Sequence, residues 1–179
     1  MGAEQLQIFT SLLALTAAVG GLGLLIVQIA GKYSALAREI TASVRHISLW
    51  LAALVASCST LGSLYFSAIA HYTPCRLCWW QRIAMFPLAA ILIVAAGRKD
   101  RSVKWYAAPL AAGGLATSIY HATIEWFPQL EKTSCAVGAP CTAVWFRGLG
   151  FMSLSMMAAS GFFAILVLLL SGEPYKETK

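Results

Sequence analysis

The chain has 179 residues, of which 59% are hydrophobic and 11% charged, with 13 Lys and Arg against 7 Asp and Glu. Soluble domains carry roughly 25% charged residues. The composition therefore predicts a membrane protein with one compact helical domain. It excludes a nucleic-acid-binding domain, which needs a basic face on a polar body, and a disordered chain, which needs low hydrophobicity.

Apolar runs define the predicted membrane spans, because a bilayer core of roughly 30 Å requires about 20 residues of helix. Four runs without Asp, Glu, Lys or Arg meet that length: Ile8–Ala30, Ile47–Ala70, Trp105–Ile124 and Leu149–Leu170. A fifth run, Ile83–Gly97, spans only if its helix begins earlier and takes in Cys75–Arg82. We therefore predict five transmembrane helices. The first is expected to be retained rather than cleaved, since residues 1–7 contain no Lys or Arg.

Basic residues distinguish the two sides of the predicted bundle. Nine Lys and Arg fall in one set of connections and four in the other. The positive-inside rule then places the N-terminus outside and the C-terminus in the cytoplasm. The predicted organisation is an extra N-terminal transmembrane helix (1–30), a cytoplasmic loop (31–46), a four-helix domain (47–171) with outward loops at 71–76 and 125–148, and a cytoplasmic tail (172–179).

Four of the five cysteines fall in the two predicted outward regions. Cys75 and Cys78 lie in one region, and Cys135 and Cys141 lie in the other. The outward side of a bacterial membrane is oxidising, so disulfides are chemically permitted there. The fifth, Cys58, lies mid-span and is expected to be a small buried filler. This partition suggests a thiol–disulfide relay.

The first cysteine pair opens a predicted helix. Thr73 is a good N-cap and Pro74 fits the first helical position, so Cys75 is expected in the first turn, where free N–H groups stabilise a thiolate. Cys78 and Arg82 share its face. An intramembrane arginine is a functional hypothesis by default; it would lower a thiol pKa and hold an anionic or carbonyl oxygen. The alternative is an inert disulfide, with Arg82 reaching the headgroups.

The second pair and one histidine complete the candidate site. Cys135 and Cys141 enclose five residues, including Gly138 and Pro140, in a short exposed loop. Exposed disulfides are the exchangeable ones, although this pair could also simply staple the loop. His121 lies near the outward end of its span, where it could relay a proton or pack within the bundle.

A dithiol relay must pass its electrons to a bound acceptor. The sequence has no haem-ligation motif and no nucleotide-binding loop, whereas the lipid phase offers quinones. A thiolate at the helix N-terminus could donate electrons while Arg82 holds the ring oxygen.

These residues resemble a known family. The motif Cys75-x-Leu77-Cys78-x-x-x-Arg82 at the start of a transmembrane helix, followed by a basic loop, a span, an outward loop with two cysteines and a last span, is similar to disulfide bond formation protein B (DsbB). The resemblance covers about residues 47–170. The helix over Ile8–Ala30 is extra, and the Cys135–Cys141 spacing is shorter than in the best-known members.

The resemblance implies an all-α, four-helix bundle in the bacterial cytoplasmic (inner) membrane, with its active cysteines facing the periplasm or cell exterior. Such a protein is a dithiol:quinone oxidoreductase that reoxidises a DsbA-like thioredoxin-fold partner. It implies that Cys135 forms the mixed disulfide, that Cys141 is its pair, and that Cys75 exchanges with this loop pair. Cys78, Arg82 and His121 would then contact the quinone, ubiquinone or menaquinone, and no metal is expected.

Three alternatives remain open from the sequence. A vitamin K epoxide reductase-like enzyme also has two cysteine pairs, but its loop pair precedes its CxxC motif, the reverse of the order here. Four thiolates, from Cys75, Cys78, Cys135 and Cys141, could instead bind zinc. A structural helper subunit would need none of these cysteines.

Overall fold

The structure, a computed structural model, describes residues 3–31, 33–131 and 140–171 as an all-helical bundle. It contains five α-helices: α1 (Ala3–Ala30), α2 (Ala35–Ala68), α3 (Arg76–Arg98), α4 (Lys104–Trp126) and α5 (Leu154–Leu170). The first three are long and apolar enough to cross a membrane, and α5 is a shorter apolar helix. The predicted helical membrane bundle is confirmed, while the orientation of its termini stays a prediction.

Helix α2 begins at Ala35, well before the predicted Ile47, so most of the predicted loop 31–46 is helical. The hydroxyl oxygen of Ser34 accepts the backbone N–H of Ala37 at 3.5 Å and caps the helix. Charged residues such as Arg38 interrupt an apolar run without interrupting a helix. Counting apolar residues therefore located the predicted span but missed the polar first turns of the helix.

Helix α5 begins at Leu154 rather than at the predicted Leu149. Leu149 and Gly150 adopt positive φ angles of 54° and 85°. They form a turn that is closed by backbone hydrogen bonding between Gly148 and Met152. The first helical turn is capped by Ser153, whose hydroxyl accepts the Met156 N–H at 3.4 Å.

The core lies among α2, α3, α4 and α5. Leu88 and Leu92 of α3 and Phe162 and Ile165 of α5 are fully buried in one cluster. A Cβ atom at Gly114 of α4 would overlap the Phe162 ring, so this glycine permits close packing of α4 on α5. Helix α1 packs outside this core, against α5 and α2.

Candidate functional site

The Cys75–Cys78 pair lies where α3 begins. Cys75 itself is the N-cap of α3, and its sulfur accepts the backbone N–H of Cys78 at 3.3 Å. The predicted capping by Thr73 is therefore wrong: residues 73–75 precede the helix, and the sulfur of Cys75 accepts the hydrogen bond expected of the Thr73 hydroxyl. Both cysteines are free thiols, with their Sγ atoms 2.9 Å apart. The helix was predicted to take in Cys75–Arg82; it includes Cys78 and Arg82, but it begins at Arg76, one residue after Cys75.

The Cys75 thiol is the more acidic of the pair. A hydrogen bond from the Cys78 side chain lowers the pKa of the Cys75 thiol to about 4, against the opposing effect of burial. A hydrogen bond and the charge of His121 lower the Cys75 pKa further. These groups stabilise the Cys75 thiolate. Because the thiolate is the reactive form of a cysteine, the low pKa makes Cys75 the more reactive sulfur of the reduced pair.

His121 connects the cysteine pair to the loop after α4. Its Nε2 atom lies 3.7 Å from Cys75 Sγ and 3.1 Å from the carbonyl oxygen of Cys141. Its Nδ1 atom lies 3.3 Å from Nε2 of Gln81, one turn beyond Cys78 on α3. His121 is therefore a buried hydrogen-bonding centre of the site. Sequence reasoning missed Gln81, although its spacing of three from Cys78 places it on the same face.

A buried carboxylate extends this polar network. Glu125 Oε1 lies 3.6 Å from His121 Nε2, and Glu125 Oε2 accepts a hydrogen bond from the Ser155 hydroxyl at 2.7 Å. The Ser153 hydroxyl lies 2.9 Å from that of Ser155. The i, i+4 spacing after His121 could have identified Glu125, whereas only the tertiary fold brings the α5 serines to it.

Cys141 packs against the helix pair. It is fully buried in a cluster with Cys75, Leu77 and Ile124, and it is disulfide-bonded. Cys135 lies outside the described residues. The sulfur and nitrogen atoms of Cys75, Cys78 and His121 lie within 4.8 Å of one another. Cys141, which is disulfide-bonded here, is not part of this cluster.

Two cavities meet at Cys78. The smaller, about 140 Å³, is lined by Cys75, Cys78, His121 and Glu125 among others. The larger, about 280 Å³, is lined by Cys78 and Arg82 together with residues of α1, α2 and α5. Cys78 thus faces both cavities. His121 and Arg82, which were predicted to lie together at the quinone, line different cavities.

Arg82 is held at the wall of the larger cavity. Its Nε donates to the Ser63 hydroxyl at 3.0 Å, and its Nη2 donates to the Ser63 carbonyl at 2.9 Å. The guanidinium carbon lies 5.4 Å from the centre of the Trp79 ring. Among the described residues no hydrogen bond reaches Nη1. Residue Ser63 of α2 therefore positions Arg82, and Nη1 remains as a donor for a ligand. No feature of the sequence identified Ser63 as this partner.

The remainder of the larger cavity is mainly apolar and aromatic. Tyr72 stacks on Trp145, with ring centres 4.9 Å apart and planes within 7°, and on Phe66 at 5.8 Å. All three residues line the cavity. Cys58 also lines it and is exposed, so the prediction of a buried filler is wrong. The position of Cys58 in the middle of a predicted span did not reveal that its side chain faces the larger cavity.

Comparison with known proteins relates the chain to disulfide-forming proteins. Residues 44–172 match the family model described as "Disulfide bond formation protein DsbB". The chain is 42% identical over 126 residues to "Probable disulfide formation protein C 2" of Bacillus anthracis, covering 70% of this chain and 90% of that protein. It is 45% identical to "Probable disulfide formation protein" of Deinococcus radiodurans, covering 71% and 88%. For "Disulfide bond formation protein C" of Bacillus subtilis the identity is 39%, covering 69% and 90%. No solved structure gives a significant match.

Proposed function

The chain belongs to the DsbB family of disulfide bond formation proteins, and from that premise we propose its electron donor, its route and its acceptor. Family membership makes it a membrane oxidoreductase that forms disulfide bonds. The donor is a reduced thioredoxin-fold protein of the DsbA type. Electrons pass from the Cys135–Cys141 pair to the Cys75–Cys78 pair and then to a membrane quinone. The observation that carries this proposal is the position of Cys78, which faces both cavities.

The first exchange takes place at the loop pair. A thiolate of the partner attacks Cys135, and Cys141 leaves as a thiolate. The partner's second thiol then attacks the partner's first sulfur in the mixed disulfide, and Cys135 leaves as a thiolate. The partner is released oxidised, and the loop pair holds two thiols. The complete burial of Cys141 supports this assignment, because a protein partner has no access to that sulfur.

The second exchange reduces the helix pair. A thiolate of the loop pair attacks Cys75 in a Cys75–Cys78 disulfide, and the loop disulfide forms again while the helix pair gains two electrons. His121 contacts Cys75 and the backbone of Cys141, so it is placed to transfer a proton between the two pairs.

The larger cavity fits a quinone. Its apolar and aromatic lining suits a lipid-soluble ring, and a volume of about 280 Å³ lies near the roughly 300–1,000 Å³ of small-molecule pockets. Arg82 Nη1 would donate a hydrogen bond to a ring oxygen while Cys78 faces the ring. A bound ubiquinone or menaquinone would accept two electrons and two protons. The Cys75–Cys78 disulfide would then form again, so that one partner dithiol is oxidised for each quinol released.

The compartment in which the reaction takes place follows from the predicted topology. With the N-terminus outside, both cysteine pairs face the periplasm or cell exterior, and the bundle lies in the bacterial inner membrane. Substrate thiols in that compartment are the ones that require oxidation.

Quinone reduction by purified protein in lipid nanodiscs tests this proposal. The loss of ubiquinone absorbance is followed with a reduced DsbA-type donor. The Cys78→Ser variant should reduce no quinone, whereas Ser43→Ala, which changes an exposed hydroxyl near the other end of the bundle, should match the wild type. Continued turnover by Cys78→Ser would overturn the proposal.

A further inference from the structure

Helix α1 lies outside the region matched by the family, residues 44–172, yet it lines the larger cavity. We propose that α1 is the wall that binds the isoprenoid tail of the quinone and thereby favours a tailed quinone over one without a tail. This inference rests on the proposed function, since the tail belongs to the acceptor that Cys78 and Arg82 serve. It assigns a role to the segment that the family resemblance leaves unexplained.

The cavity needs a wall that the four-helix domain does not supply. Its lining comes from α2, α3, α5 and the segments around Tyr72 and Trp145, and no residue of α4 takes part. The remaining side is formed by four residues of α1: Thr10, Leu13, Ala14 and Ala17. Helix α4 of the family domain thus packs away from the cavity, and α1 forms the side of the cavity that the domain leaves open.

Helix α1 is fixed in this position along its length. Near its start, Gln7 Nε2 donates to the Tyr72 hydroxyl at 2.8 Å, and a Cβ atom at Gly148 would overlap Ser11, which is fully buried. Towards its end, Gln28 Nε2 donates to the carbonyl oxygen of Val167 at 3.3 Å. A helix held at both ends presents a defined surface rather than a loosely attached one.

The cavity is polar at one end and apolar towards α1. Cys78, Gln81 and Arg82 come from α3, whereas Leu13, Ala14 and Ala17 of α1 carry no polar side-chain group. The hydroxyl of the fourth α1 residue, Thr10, donates to backbone carbonyl oxygens of α1 itself. A quinone with its ring oxygen at Arg82 would therefore direct its apolar tail towards α1 and the lipid beyond it. The two alanines leave the space that the tail would fill, so a larger residue there would exclude it.

The alanine at position 17 provides a sharp test, because the helix also offers a matched control. Ala17→Phe adds an aromatic ring to the cavity wall. Val19→Phe adds one to the same helix at a residue that is 62% exposed and does not line the cavity. With a long-tailed ubiquinone, Ala17→Phe should raise the KM for quinone by about tenfold or more, as blocked apolar pockets do, and Val19→Phe should leave it unchanged. A quinone without a tail should show a smaller effect of Ala17→Phe.

A second measurement requires no variant and no turnover. A ubiquinone carrying a diazirine on its tail is photolysed with the wild-type protein in nanodiscs, and adducts are located by mass spectrometry. Adducts on residues 10–17 that excess unlabelled ubiquinone suppresses are expected. Saturable adducts that avoid α1, or a KM unchanged in Ala17→Phe while the wild type reduces quinone normally, would overturn the role of α1 alone. No quinone reduction by the wild type would instead overturn the proposed function.

Discussion

His121 Nε2 lies 3.7 Å from the sulfur of Cys75, the cysteine that caps α3. The same nitrogen lies 3.1 Å from the carbonyl oxygen of Cys141. One histidine therefore contacts Cys75 of one pair and Cys141 of the other. Together with the larger effect of the Cys78 hydrogen bond, this contact lowers the pKa of Cys75, whereas Cys78 faces the larger cavity.

The first prediction concerns the pH dependence of Cys75. Its pKa is lowered to about 4, so the thiolate predominates above that pH and is lost as the pH falls through it. Alkylation of reduced Cys75 by iodoacetamide, measured by peptide mass spectrometry, should stay fast down to about pH 5, whereas an ordinary thiol slows below about pH 8.5. Replacing Cys78 with alanine removes the main cause and should move the midpoint upward. A wild-type midpoint near that of an ordinary thiol would contradict this assignment.

The second prediction concerns His121. His121→Gln keeps a polar side chain but removes the titratable ring, so exchange between the loop and helix pairs should slow by roughly 10²-fold, a typical contribution of a general acid or base. Stopped-flow exchange with a reduced donor measures this rate, and His46→Gln, an exposed histidine on α2, is the control. The alkylation midpoint of Cys75 should also rise. An exchange rate equal to that of the wild type would contradict the proton-transfer role of His121.

The third prediction concerns Arg82. Removing a charged hydrogen-bond donor costs about 1.5–3 kcal/mol, so Arg82→Ala should raise the KM for quinone roughly tenfold to a hundredfold. The KM for the reduced donor should remain unchanged. Arg98→Ala, at the other end of α3 and exposed, controls for loss of charge. A normal quinone titration would remove Arg82 from the acceptor site.

The fourth prediction separates the two loop cysteines. Because Cys141 is fully buried, the partner should attack Cys135. Mixed with the oxidised partner, Cys141→Ala should form a mixed disulfide, because the free Cys135 thiolate attacks the partner disulfide and one partner thiolate leaves, whereas Cys135→Ala should form none. Non-reducing gel electrophoresis distinguishes the two variants. Trapping through Cys141 would reverse the assignment.

The fifth prediction concerns topology. Gln129 and Asp100 are exposed residues at opposite ends of α4. In whole cells, an impermeant maleimide should label Gln129→Cys and should label Asp100→Cys only after the cells are broken. The opposite pattern would place the cysteine pairs in the cytoplasm.

The sequence predicted those features that depend on local pattern. Apolar length indicated five helices, and the short run over Ile83–Gly97 required the extension that places Cys78 and Arg82 on α3. Features set by tertiary contacts could not be predicted. Ser63 meets Arg82 across α2 and α3, and Ser155 meets Glu125 across α4 and α5, at separations of 19 and 30 residues. Spacing rules within one helix cannot predict hydrogen bonds between side chains on two different helices.

Local competition for a hydrogen bond explains the error at the start of α3. Thr73 and Cys75 both precede free N–H groups, and hydroxyl capping is the commoner solution. Here the Cys75 sulfur accepts the Cys78 N–H, and the helix begins at Arg76. The correction matters for function, because the capping bond also stabilises the Cys75 thiolate.

A single turnover in the absence of donor shows whether the Cys75–Cys78 pair delivers two electrons to a quinone. Protein with this pair reduced and the loop pair oxidised is mixed with excess ubiquinone in nanodiscs. Quinol is measured by absorbance, and cysteine pairing by mass spectrometry. One quinol per protein should appear together with a Cys75–Cys78 disulfide. A helix pair that stays reduced, with no quinol formed, would contradict the account.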